Sequence, residues 1–501
     1  MNRGRGEPDN RPSNAPESAA KSMITFLLAG GGMSSFRWKT LERRIGVIGP
    51  RWCGKTVLLT SLINHLKFHD PLRFRLGPPN KLGEVSHFRE LTDAKAVCRP
   101  GALPWFDYEG YRNQFVQNGK WPAATKDISQ YACEFERSDW NFNNLRLHLY
   151  DLPGERVNDI PMITGERDAR TAYAAWSDLA CRRVEKDLTA GEYFQPFFEL
   201  ARRAEASAAD VAHRYKIGLA KSRLAYRPYL TPSTFLLDRD GQRIKGADPE
   251  TLAKTRYVGL SAEEEFVPLP ADARALHPDW ADTFAQRFAR YRDEVILPVV
   301  TGLKTCHALV VMVDVLAILG HGPGMYNDYR QLTGDLLKAL DPKDTTLDLV
   351  LRNVYQTLLP VNWRRSWISR IAFVAPKMDR VPFEDRARVR NLMEQLVRHE
   401  AKNCRGVTLG YFPVAAVLGA RENQQGRREM LGSTLYDADG TPLTPGAERK
   451  FSVPEVPHVW PEHGWRPGDF VYPDVYPRVS PLSNCPTEQV GLDELFNFLC
   501  W

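Results

Sequence analysis

Gly49-Pro50-Arg51-Trp52-Cys53-Gly54-Lys55-Thr56 fits the pattern G-x-x-x-x-G-K-[ST] in full, and it lies between the two elements that such a loop needs. Arg44-Ile45-Gly46-Val47-Ile48 reads as a short buried strand. Val57 to Leu66, VLLTSLINHL, reads as a helix with an apolar face. A strand, a glycine loop and a helix N-terminus together aim backbone N–H groups at a phosphate chain. Here the cradle is expected from Gly49, Cys53, Gly54, Lys55, Thr56 and Val57. Lys55 would reach the β- and γ-phosphates, and the Thr56 hydroxyl would bind Mg²⁺.

The remaining strands point to the sheet that such a loop requires. Tyr131–Glu136 and Leu145–Tyr150 alternate like the arms of a hairpin, with turn residues Ser138-Asp139-Trp140-Asn141 between them. Residues 67–120 read as irregular, and residues 166–225 have helical composition. Residues 226–278 are rich in proline and turn residues, and Trp280–Ile296 is helical again. Apolar strands return at His307–Asp314, Ile368–Val374 and Gly406–Val414, with a helix over Arg386–Lys402 between the last two. Residues 420–490 are turn-rich, and Val490–Trp501 closes the chain as a short helix. Strands alternating with helices predict an α/β fold. The expected architecture is a doubly wound, mostly parallel sheet of the P-loop NTPase type with an α-helical insertion. The expected divisions are a disordered tail over 1–35, a first nucleotide-binding part over 36–164, the insertion over 165–300 and a second nucleotide-binding part over 301–501 with a Pro-rich extension.

Charge and cysteine usage narrow the partners. A net charge of +6 over 501 residues is small, so no nucleic-acid partner is expected. None of the eight cysteines forms C-x-x-C, and none stands at zinc-ligand spacing from a histidine, which fits a reducing cytoplasm. The apolar run 23–33 is too short to span a bilayer, so no transmembrane segment is expected; peripheral membrane association stays open.

Asp151-Leu152-Pro153-Gly154 follows the second hairpin strand. An Asp ending a strand beside the first can hold Mg²⁺ in its outer shell, and the Gly154 N–H can meet a γ-phosphate. Thr125, 26 residues before Asp151, is the candidate for a second metal-binding hydroxyl; it reads equally well as a turn or cap residue. Glu155 stands where a water-orienting residue is expected. It could repel the γ-phosphate and slow hydrolysis, or act as a base if its pKa rises. Arg156 could stabilise charge in cis, though an exposed arginine is the blander reading. His65 and His69, at i and i+4, read as exposed helix-end residues, and Arg182-Arg183 and Arg202-Arg203 as solvated helix faces.

Pro376-Lys377-Met378-Asp379 ends a strand, where folds of this kind bind ligand. GTPases place [NT]-K-x-D there. The aspartate accepts from the N1 and N2 hydrogens of guanine, and the lysine stem packs on the ring. Pro376 has no side-chain hydrogen bond to offer, so one bracing contact is lost. Ala415-Ala416, after the next strand, fills the position where a backbone N–H meets guanine O6, and Ala416 is the candidate.

On these residues the chain resembles the YcjX-like family from about residue 37 onward. The resemblance rests on the phosphate loop with Thr60-Ser61-Leu62, on Trp121-Pro122…Thr125-Lys126-Asp127, and on Asp151-Leu152-Pro153-Gly154-Glu155. It rests also on Trp176-Ser177, Val311-Met312-Val313-Asp314 and Lys377-Met378-Asp379. It implies a Ras-like GTPase with a helical insertion, among nucleotide-binding, stress-associated proteins. The family usually has Thr-Lys-Ala-Asp at 376–379 and Trp at 156. The expected function is a slow cytosolic GTPase switch using GTP/GDP and Mg²⁺, with an unknown protein partner. An ATPase using ATP/ADP, or a weakly hydrolysing interaction module, are the rivals.

Overall fold

A computed structural model describes residues 40–50, 52–78, 82–91, 103–116, 118–122, 128–139, 144–152, 154–163, 168–186, 191–225, 248–253, 264–340, 368–401, 404, 406–423, 428–437, 443–444, 446–478 and 486–500. The tail over 1–35, the apolar run 23–33, the turn residues Trp140 and Asn141, most of 226–278 and Thr125 lie outside the described residues.

Strand β1, Thr40–Ile48, forms the middle of the sheet because its last four residues are buried on both faces. Such strands read as continuous apolar runs, as Ile45 to Ile48 does. β1 pairs in parallel with β4, Asn144–Asp151, on one side and with β5, Ala308–Met312, on the other. β6, Arg370–Ala375, and β7, Thr408–Pro413, extend the parallel part. β3, Ser129–Arg137, and β2, Val85–Glu90, add an antiparallel edge, giving the order β2-β3-β4-β1-β5-β6-β7. The expected doubly wound, mostly parallel α/β sheet is therefore present.

Helices cover both faces. On one, α1, Lys55–Lys67, packs Leu58, Leu59, Leu62 and Leu66 against the sheet and against the C-terminal helix Leu492–Cys500. Each such leucine contributes about 1.5–3 kcal/mol on burial. The other face carries Pro323–Leu340 and Phe383–Ala401. Between β4 and β5 in the chain, helices Ala169–Lys186, Gly191–Ala201, Ala208–Ala225 and Pro278–Tyr291 build a separate aromatic core around Tyr173, Trp176, Phe197 and Phe288.

The structure corrects four sequence readings. The stretch 67–120 is not wholly irregular: it contains β2 and the helix Tyr108–Val116. The edge strand is hard to see because a bulge between Ser86 and Arg89 breaks its alternation, with His87 at φ 51°. The turn-rich 420–490 region carries a second sheet of β8, Ala420–Glu422, β9, Glu429–Gly432, and β10, Arg449–Ser452. Arg183 does not lie on a solvated face but pairs with Asp328 at 2.9 Å, with a tenth of its side chain exposed. His65 is fully buried and stacks on Phe74 at 5.1 Å rather than facing solvent at a helix end.

That burial has a pH consequence. It lowers the His65 pKa from 6.5 to about 4, against a weaker opposing pull from the Thr487 backbone. The unfolded chain then binds more protons than the folded one between these two values, so this contribution is complete above pH 6.5 and lost as pH falls toward 4. His65→Leu should remove it. In urea titrations the parent should lose up to about 3 kcal/mol more than the variant on going from pH 7 to pH 4. Parallel pH profiles would exclude a buried neutral histidine.

A candidate nucleotide site at the carboxyl edge of the sheet

The loops after β1, β4, β5, β6 and β7 all emerge at one edge of the parallel sheet, where such folds bind ligands. The loop after β1 carries Gly49 to Gly54. Gly54 takes φ 88°, a left-handed conformation that costs an L-residue about 1–2 kcal/mol, and it turns the chain straight into α1. No side chain caps α1 and no acidic residue lies in its own first turn, so its N-terminal N–H groups are left to the loop. Trp52 also has positive φ, 65°, and more than a third of its surface is exposed.

Lys55 is buried and bends back over the loop. Its Nζ donates to the carbonyls of Gly49 at 3.0 Å and Pro50 at 2.9 Å. The Cys53 thiol donates to the Pro50 carbonyl at 2.8 Å, and burial pushes its pKa up, so it stays a neutral thiol. Thr56 Oγ1 donates to Asp151 Oδ2 at 3.1 Å. The parallel register places Asp151 beside Val47, two residues before the loop begins. The hydroxyl and the carboxylate are therefore joined across 95 residues of chain, and both are buried. Two hard oxygen donors side by side fit Mg²⁺, which takes few protein ligands and completes its shell with water and phosphate oxygens. Thr125, the third expected donor, lies outside the described residues.

Gly154 is buried and opens a one-turn helix, Gly154–Val157. The backbone of Glu155 and Arg156 belongs to that turn, while their side chains lie outside the described set. From the end of the turn the chain enters both cores: Val157 and Ile160 pack with the sheet, and Met162 packs with the helical layer. Tyr291 OH donates to Asp159 Oδ2 at 2.8 Å, a buried tie from the helical layer to this segment. A π-helical turn, Arg292–Ile296, follows Tyr291 directly.

Lys377 and Asp379 sit beyond β6. Lys377 has φ 66°, and its Nζ pairs with Asp314 Oδ2 at 2.5 Å. Asp314 is fully buried and also caps the following helix through Ala317 N. Asp379 is buried, and its Oδ2 accepts from the N–H groups of Gly419 at 2.8 Å and Ala420 at 3.2 Å. Ala416 stands beyond β7, with its carbonyl accepting from Ser61 Oγ of α1 at 2.5 Å. Val57 packs near Trp121, Phe115 and Val417.

The described candidates thus gather at one sheet edge. Asp314 and Gly419 join the candidates only in the folded chain. An aspartate directly after an apolar strand was the available signal for Asp314; Gly419 carried none.

The family model described as YcjX-like family, DUF463, matches residues 43–500. An Escherichia coli (strain K12) protein named Ras-like GTPase YcjX is 25% identical over 479 residues, covering 91% of this chain and 94% of that protein. A Shewanella oneidensis protein of the same name is 24% identical over 494 residues, covering 92% of this chain and 95% of that protein.

Proposed function

The chain belongs to the YcjX-like family, and from that premise we propose that it binds guanine nucleotide with Mg²⁺ and hydrolyses GTP slowly, as a cytoplasmic switch. The observation that carries the proposal is the Thr56–Asp151 contact, which joins the phosphate loop to the end of β4. The name Ras-like GTPase carried by both relatives supports guanine over adenine. No helix among the described residues is long and apolar enough to cross a membrane. Free Cys53, Cys133, Cys181 and Cys306 agree with a reducing compartment.

Each residue then has a task. The backbone N–H groups of Gly49, Cys53, Gly54, Lys55, Thr56 and Val57 would hold the phosphate chain, and Lys55 would exchange the Gly49 and Pro50 carbonyls for phosphate oxygens. Thr56 and Asp151 would hold the metal, with Thr125 as the further hydroxyl. Mg²⁺, when bound, neutralises charge on the β- and γ-phosphates. Gly154 would offer its N–H to the γ-phosphate, and the segment from Gly154 to Met162 would pass nucleotide state to the helical layer, a reading supported by the Tyr291–Asp159 bond and the packing of Met162. We take residues 165–300 as the unit that responds, in step with the stress association that the family resemblance implies.

Glu155 tests the slow turnover. A carboxylate beside the γ-phosphate repels it, so Glu155→Gln should raise single-turnover GTP hydrolysis about tenfold, a barrier change of about 1.4 kcal/mol. A fall in rate with loss of one ionisation from the pH profile would instead make Glu155 a general base. An unchanged rate in both Glu155→Gln and Glu155→Ala would remove the residue from catalysis.

A further inference from the structure

The carboxylate assigned to the nucleobase is braced from outside its own loop. Pro376 has no side-chain donor or acceptor with which to steady the segment. Instead, the Gly419 and Ala420 N–H groups both grip Asp379 Oδ2. That loop is in turn pressed by a strap from the C-terminal region, Asp474–Tyr476. A Cβ on residue 419 would stand 2.5 Å from Val475 Cγ2 and 2.7 Å from the Tyr476 carbonyl oxygen, closer than real side chains come. The strap is itself tied on both sides. Asp474 pairs at 2.5 Å with buried Arg380, the residue after Asp379. The Val475 carbonyl accepts from Trp121 Nε1 at 2.6 Å. Trp121 also packs in the small cluster of Phe115 and Val417, the latter next to Ala416 in the second base loop.

We propose that Trp121, Gly419 and the Asp474–Tyr476 strap are positioning residues for base recognition. They hold one oxygen of Asp379 so that the carboxylate is presented in a single orientation to the paired N–H donors of a guanine. The inference rests on the proposed reading of guanine by Asp379. It assigns to the strap the bracing that a polar residue at 376 would otherwise supply.

The test compares dissociation constants for GDP and IDP in the full-length protein. IDP lacks only the 2-amino group, so the IDP/GDP ratio isolates one hydrogen bond to the carboxylate and cancels losses in fold or phosphate grip. The parent should prefer GDP at least tenfold. Gly419→Ala, whose Cβ would press on the strap and also stand 3.2 Å from Asp379 Oδ2, should cut that ratio at least threefold, and Trp121→Phe, which keeps an aromatic ring but removes the N–H donor and leaves Asp379 uncrowded, should cut it in the same direction. Asp474→Asn provides the readout if Gly419→Ala does not fold. A ratio unmoved in Trp121→Phe and Asp474→Asn, while Asp379→Asn collapses it, overturns the positioning role alone. A ratio unmoved in Asp379→Asn overturns the base reading, and the positioning role with it.

Discussion

Lys55→Ala should lower affinity for GDP and GTP at least tenfold, or about 1.4 kcal/mol, and leave the fold intact. The side chain is buried, and its ammonium rests on the Gly49 and Pro50 carbonyls, within the loop where a phosphate chain would lie. A cation already desolvated there loses little further hydration on meeting phosphate, so the exchange of carbonyl for phosphate oxygens is favourable. Alanine removes that attraction and touches neither the Leu58, Leu59 and Leu62 packing nor the Thr56–Asp151 contact. Calorimetric titration of both nucleotides, with a thermal melt as the control for folding, reads the effect. Unchanged binding would sink the assignment of the loop as the nucleotide site.

Asp379→Asn should exchange the base preference. The carboxylate accepts from the N1 and N2 hydrogens of guanine, whereas an amide can donate to the extra carbonyl of xanthine. Sites built to hydrogen-bond one group reject a mismatched partner strongly, because a buried polar atom is left without its bond. The variant should bind XDP at least as tightly as GDP and lose about a hundredfold in GDP affinity, near 2.7 kcal/mol. The parent should bind GDP at least a hundredfold more tightly than ADP. Equal binding of GDP and XDP by parent and variant would free the loop from base reading.

Much of this arrangement is legible in the linear sequence because its signals are local. A glycine loop between an apolar strand and an apolar-faced helix needs no distant partner to be recognised, and β1, α1, β5, β6 and β7 follow from short hydrophobic runs. Asp151 was legible because it ends a strand that must lie beside β1. What escaped depends on contacts far along the chain. His65 is buried by Phe74 and by the C-terminal segment around Thr487, and helical spacing alone puts it at an exposed end. Asp314 earns its place through Lys377, 63 residues away, and Gly419 through Asp379, Val475 and Tyr476. The small sheet of β8 to β10 hides because its strands are three or four residues long and sit among turns.

The central claim is that one sheet edge reads a guanine nucleotide through Lys55, Thr56, Asp151 and Asp379. Competition calorimetry of GDP against ADP, in Mg²⁺, on the parent and on Asp379→Asn, tests it most directly. The account predicts a GDP preference of at least a hundredfold in the parent that vanishes in the variant. Equal affinity for GDP and ADP in the parent would contradict it.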